Sequence, residues 1–116
     1  MKNKYFDKIT KLLEETHPKL SITHRLEFKN VFGAVGGCVN GSIFTSCGRF
    51  GIALKLPPDT LATLFQKKEA KHLKYFPNGH IKKEYVVLSK LMLNNERQLQ
   101  KLVDESVEYV LSLKTK

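Results

Sequence analysis

The pair Asn40-Gly41 constrains this chain more than any other feature, because it sits between two apolar runs within the stretch from Val31 to Leu56. A two-residue type I′ reversal needs positive φ at both central residues, and Asn followed by Gly meets that need at the least steric cost. The spacing therefore predicts an antiparallel meander with strands over roughly 33–39, 42–48 and 50–56. In that register Val39 faces Ser42, Cys38 faces Ile43, and Cys47 falls opposite Ala34. The two cysteines are then offset by four positions, roughly 13 Å at strand rise, too far for a disulfide. They read as buried free thiols.

On either side of the meander the apolar period changes to that of a helix. Tyr5, Phe6, Ile9, Leu12 and Leu13 recur at helical spacing against Lys and Glu, and Pro18 stops the run. From His24 to Lys29, Leu26 and Phe28 alternate with charged neighbours, which predicts an extended lead-in toward Phe32-Gly33. Phe50, Ile52, Leu54 and Leu56 share one strand face and are expected in the core. Pro57-Pro58 ends the meander, and Asp59 or Thr60 is placed to cap a helix over about 59–68. A second hairpin is expected around Pro77-Asn78-Gly79, with Asn78 and Gly79 supplying its turn. A final helix runs from Asn94 or Asn95 to about Leu113, with Leu99, Leu102, Val103, Ser106, Val110 and Leu113 on one stripe and Asn95 spaced from Gln98 as a cap.

The resulting order, α-β(3)-α-β(2)-α, predicts an α+β fold: a two-layer sandwich whose helices cover one face of an antiparallel sheet. At 116 residues it is expected to be one domain spanning 1–116. No apolar run approaches the roughly 20 residues that span a bilayer, and the charged N-terminus lacks the apolar core of a signal peptide, so a soluble, cytoplasmic protein is expected.

Phe32-Gly33, the Val39-Asn40-Gly41 turn, Leu54-Lys55, the Pro77-Asn78-Gly79 turn, Lys82 and Tyr85-Val86 resemble the N-terminal domain of the TfoX (Sxy) family. The resemblance covers roughly residues 5–113. It rests on turns and strands rather than on a catalytic signature. It implies the architecture just read from the residues, and an association with bacterial competence regulation in longer members that carry a separate C-terminal helical domain. Here the chain ends at Lys116, directly after the last predicted helix, so no C-terminal domain is expected.

The formal charge of +9 is partly focused. Lys67, Lys68, Lys71, Lys74, Lys82 and Lys83 stand against Glu69 alone between residues 67 and 83, a surplus of five, with His72 and His80 nearby. This cluster is a candidate anion- or nucleic-acid-binding surface, with Tyr75 and Phe76 available to stack on bases; the plainer reading is a solvated face.

Elsewhere, chemistry is sparse. His17, His24, His72 and His80 with Cys38 and Cys47 lack the paired spacing of a zinc site. Gly33, Gly36 and Gly37 lead into a hairpin rather than a helix, unlike a phosphate-cradling loop. Neither Ser42, Ser46, Cys47 nor Ser89 carries a nucleophile signature, and Glu14-Glu15 and Asp104-Glu105 read as solvated acids. No catalytic, cofactor-binding or metal-ligating residue is assigned, and no membrane partner. The favoured function is a non-enzymatic regulatory or adaptor module that binds a protein partner or a second copy of itself, through the sheet face or an open edge strand. The alternative is nucleic-acid binding through the lysine cluster. An enzyme or small-ligand protein is the third reading, to be raised only by a formed pocket with converging polar groups.

Overall fold

The computed structural model describes residues 4–67, 70–75 and 79–114. Along the chain these form α1 (Lys4–Thr16), α2 (Leu20–Thr23), β1 (Leu26–Val31), β2 (Ala34–Val39), β3 (Ser42–Gly48), β4 (Gly51–Lys55), α3 (Pro58–Gln66), β5 (Lys71–Leu73), β6 (Lys82–Val87), α4 (Lys90–Asn94) and α5 (Glu96–Lys114). The strands make a single antiparallel sheet in the order β1-β2-β3-β4-β6-β5. The α+β class and the antiparallel sheet are as the periodicity implies. The lead-in is a full strand rather than an approach segment, so four strands precede α3 instead of three. Its alternation, Leu26 and Phe28 half-buried between exposed Glu27 and Lys29, is that of an edge strand with one apolar face.

Asn40 (φ 49°) and Gly41 (φ 85°) form the expected reversal, with Val39 opposite Ser42 and Cys38 opposite Ile43. Beyond that point β3 departs from regular pairing. The register shifts at Gly37/Cys38, so that Phe44 is the extra residue of a β-bulge and Cys47 lies opposite Val35 rather than Ala34. The bulge is held from two sides: Ser106 of α5 donates its hydroxyl to the Phe44 carbonyl at 2.9 Å, and Thr45 donates to the Ala53 carbonyl at 2.8 Å. Both cysteines are buried and free, as expected.

All three long helices pack on the same side of the sheet. Ile9, Leu12 and Leu13 of α1, Leu61 and Leu64 of α3, and Leu99, Leu102, Val103, Val107 and Val110 of α5 join Val39, Phe44, Cys47, Leu54 and Val86 of the strands in one core. Leu113, expected on the α5 stripe, is 40% exposed. Asn95 caps α5 as its spacing suggests, accepting from the Gln98 amide at 3.2 Å. For α3 the N-cap is Pro57, without a side-chain bond, and Asp59 lies inside the helix rather than capping it. Pro58, in the first turn, needs no amide partner there, which moves the start upstream. Two short helices were not expected. One is α2; the other is α4, capped by Ser89, whose hydroxyl oxygen accepts from the Met92 amide.

The opposite face carries a smaller cluster of Ala53, Leu73, Tyr85 and Val87, with Phe50 and Tyr75 packed against it. Phe50 therefore belongs to this face and not to the core of Ile52, Leu54 and Leu56. It sits in the β3–β4 turn, ahead of Gly51 at φ 107°, which breaks the strand alternation at that point. β5 ends at Leu73, and Tyr75 leaves the strand to donate its hydroxyl to Ser46 Oγ of β3 at 3.2 Å. At the second expected turn, Asn78 lies outside the described residues, as does Phe76.

Replacing Ser106 by Ala leaves the buried Phe44 carbonyl without its donor, a cost of about 1–3 kcal/mol. A urea titration should show the midpoint falling with the slope unchanged; an unaltered midpoint would mean the bulge stands without α5.

Candidate functional site

The described lysines of the 67–83 cluster fall at the end of α3, on β5 and just after it, and on β6. Lys67 closes α3 and Lys71 opens β5, both exposed. Lys74 follows β5, and Lys82 and Lys83 open β6. Lys71 stands opposite Val87 while Leu73 stands opposite Lys82. Lys71 therefore stands at one end of the β5–β6 pair and Lys82 at the other. Lys68 lies outside the described residues.

What Lys74 does join is a cleft that no sequence spacing announced. The β1–β2 turn, the β3–β4 turn and the residues just after β5 converge there, bringing Phe32, Arg49, Phe50, Lys74 and Tyr75, with Tyr5 of α1, around a cavity of about 550 Å³. The Tyr75 ring lies 5.4 Å from Phe32 and 5.6 Å, edge-on, from Phe50. Phe32 is 63% exposed and holds φ at 51°, a left-handed conformation that costs a bulky L-residue roughly 1–2 kcal/mol. An aromatic ring kept exposed on a strained turn is a feature that function explains better than stability does. Arg49 and Lys74 supply two exposed cations beside the rings.

The sheet edge at β1 is a second feature. α1 packs on β2 and β3, and Leu26 and Phe28 on the same face stay half-buried beside it. Phe6 stands edge-on to Phe28 at 5.2 Å and is 39% exposed. On the other face of β1, Arg25 pairs with Glu27 at 2.9 Å, and Lys29 follows.

On the helix side, His17 Nε2 meets Asp104 Oδ1 at 2.6 Å, joining the end of α1 to α5 across 87 residues of sequence. His17 Nδ1 is buried without a hydrogen-bond partner. The pair borders a mainly aliphatic cavity of about 480 Å³ that includes Leu20, Val107 and Leu111. Asp104 is thus exposed, as expected, and also paired, its side chain 63% open to solvent. Among the described residues no group of three His, Cys, Asp or Glu side chains is placed to hold a metal ion, and no helix is long and apolar enough to cross a membrane.

The cysteines lie on opposite faces. Cys47 belongs to the helix-side core, and Cys38 to the other face beside Ile43. Burial pushes both thiols above their ordinary 9.0, outweighing the pull of Lys29 on Cys38 and of Lys8 on Cys47. Burial likewise raises the Tyr85 phenol, with Tyr75 and Glu84 adding to it.

No protein-family model matches this chain, nor does any curated protein or solved structure.

A thiol raised by burial stays protonated at neutral pH and is a poor nucleophile. Its contribution to stability is full below pH 9.0 and is lost as pH climbs through the raised folded-state value. A disulfide reagent at pH 7 should therefore label neither Cys38 nor Cys47 until denaturant is added. Stoichiometric labelling of the folded chain within minutes would contradict this.

Proposed function

We propose that the chain is a TfoX N-terminal-like domain that acts as a non-enzymatic regulatory or adaptor module, binding another protein in the cytoplasm. Competence or transcription regulation is the setting that the resemblance implies. The observation that carries this reading is the β1 edge. In the β1–β2 ladder the Asn40 amide donates to the Arg25 carbonyl at 2.9 Å, so Arg25 and, by alternation, Glu27, Lys29 and Val31 bond toward β2. The amides and carbonyls of Leu26, Phe28 and Asn30 then point outward. An extended segment laid along them completes the ladder, while its alternate side chains roof Phe28 and Phe6.

Asn30→Pro removes one outward amide and none that bonds β2. Partners captured by the wild-type protein should be lost from this variant, whose far-UV circular dichroism should stay native. Equal capture by both would remove β1 as the docking edge.

The cleft favours a second reading, nucleic-acid binding. Rings that stack on bases beside cations that meet phosphates are the two parts of a sequence-tolerant single-strand site, and Tyr75, Phe32, Lys74 and Arg49 supply both. Binding of a labelled oligonucleotide should weaken steeply with salt, and Arg49→Ala or Lys74→Ala should each flatten that slope by about 0.7. Phe32→Asn suits the left-handed turn better and should weaken binding while holding stability to within about 1 kcal/mol. Salt-independent binding, or indifference to all three changes, would exclude the cleft.

A further inference from the structure

We infer that the occupant of the β1 edge is a second copy of this chain, paired antiparallel through β1 about a two-fold axis at Phe28. The inference rests on β1 being the docking edge and goes further, because the strand is complementary to itself in one register. Only Leu26, Phe28 and Asn30 present outward backbone groups, so a symmetric pairing that uses all three must place Phe28 opposite Phe28 and Leu26 opposite Asn30 of the second copy. That arrangement yields about six inter-chain hydrogen bonds, two from each such pair.

The same register sets Glu27 opposite Lys29 of the second copy, and Lys29 opposite its Glu27. These fall at non-hydrogen-bonded positions, where facing side chains come closest and opposite charges stabilise the pair. Glu27 already holds Arg25 within its own chain, so each carboxylate would lie between two cations. Charges on an edge strand usually repel an incoming strand. Here an acid and a base two positions apart do the reverse for an antiparallel copy, while a parallel in-register copy would set Glu27 against Glu27. A pairing centred on Leu26 would also join opposite charges, Arg25 to Glu27, but carries Phe28 out to His24, beyond the strand.

On the helix side the pairing brings the two half-buried Phe28 rings together on the axis, each already edge-on to Phe6. It thereby covers the apolar strip that α1 leaves open over β1. The two six-stranded sheets become one continuous sheet with β5 at both outer edges, and the aromatic clefts stay free.

Sedimentation velocity from low micromolar to several hundred micromolar, on the full chain, tests this. The wild type should pass from monomer to dimer. Glu27→Lys alone sets Lys against Lys29, and Lys29→Glu alone sets Glu against Glu27, so each variant should self-associate about tenfold more weakly or worse. An equimolar mixture of the two restores both opposite-charge pairs and should form a heterodimer, a result that misfolding of either variant cannot produce. A wild type that stays monomeric, single variants that dimerise as before, or a mixture that fails to associate would each overturn the inference. A monomeric wild type that still loses its protein partners on Asn30→Pro would keep β1 as a docking edge and remove the second copy as its occupant.

Discussion

The direction in which each β3 side chain points decides how the two faces of this sheet are used, and a single inserted residue sets that direction. Regular alternation from Ile43 onward would turn Cys47 away from the helices and Ser46 toward them. The bulge at Phe44 reverses this for the rest of the strand. Phe44 and Cys47 both enter the helix-side core, and Ser46 is delivered to the other face, where Tyr75 bonds to it. The Ser106 hydroxyl ties the bulge to the longest helix, so the irregularity in the sheet and the position of α5 support one another.

From that arrangement the rest of the surface follows. With Tyr75 drawn back to β3, the segment after β5 is brought over the hairpin turns, and the cleft of Phe32, Phe50, Arg49 and Lys74 forms where they meet. With α1 seated over β2 and β3, β1 is left as a strand with one apolar face and one charged face at the end of the sheet. The two candidate recognition surfaces are therefore consequences of helix placement and of one long-range hydroxyl bond.

Rules that act over a few residues are what made the fold legible. Asn40-Gly41 announced its turn through φ alone, Pro18 and Pro57 marked helix boundaries, and Asn95 announced the start of α5. The bulge was invisible because Ile43 to Cys47 tolerates either alternation; nothing in that run says which residue is extra. α2 and α4 are shorter than the window in which a helical period shows. Phe50 looked like core because a strand pattern was carried back through Gly51, whose positive φ ends it. Of the cleft, Lys74 and Tyr75 were legible as a cation and a ring within a basic run, but not as neighbours of Phe32 and Arg49. Contacts such as Tyr75 to Ser46, 29 residues apart, or His17 to Asp104, 87 apart, leave no local trace.

The central claim is that β1 offers alternate backbone groups outward for another strand. Residue-resolved amide hydrogen exchange, run on dilute and on concentrated protein, reads this directly. In dilute solution Glu27, Lys29 and Val31 should be protected while Leu26, Phe28 and Asn30 exchange freely, and the latter three should gain protection as concentration rises. Uniform protection along β1 at every concentration, or an outward set that never becomes protected, would contradict the account.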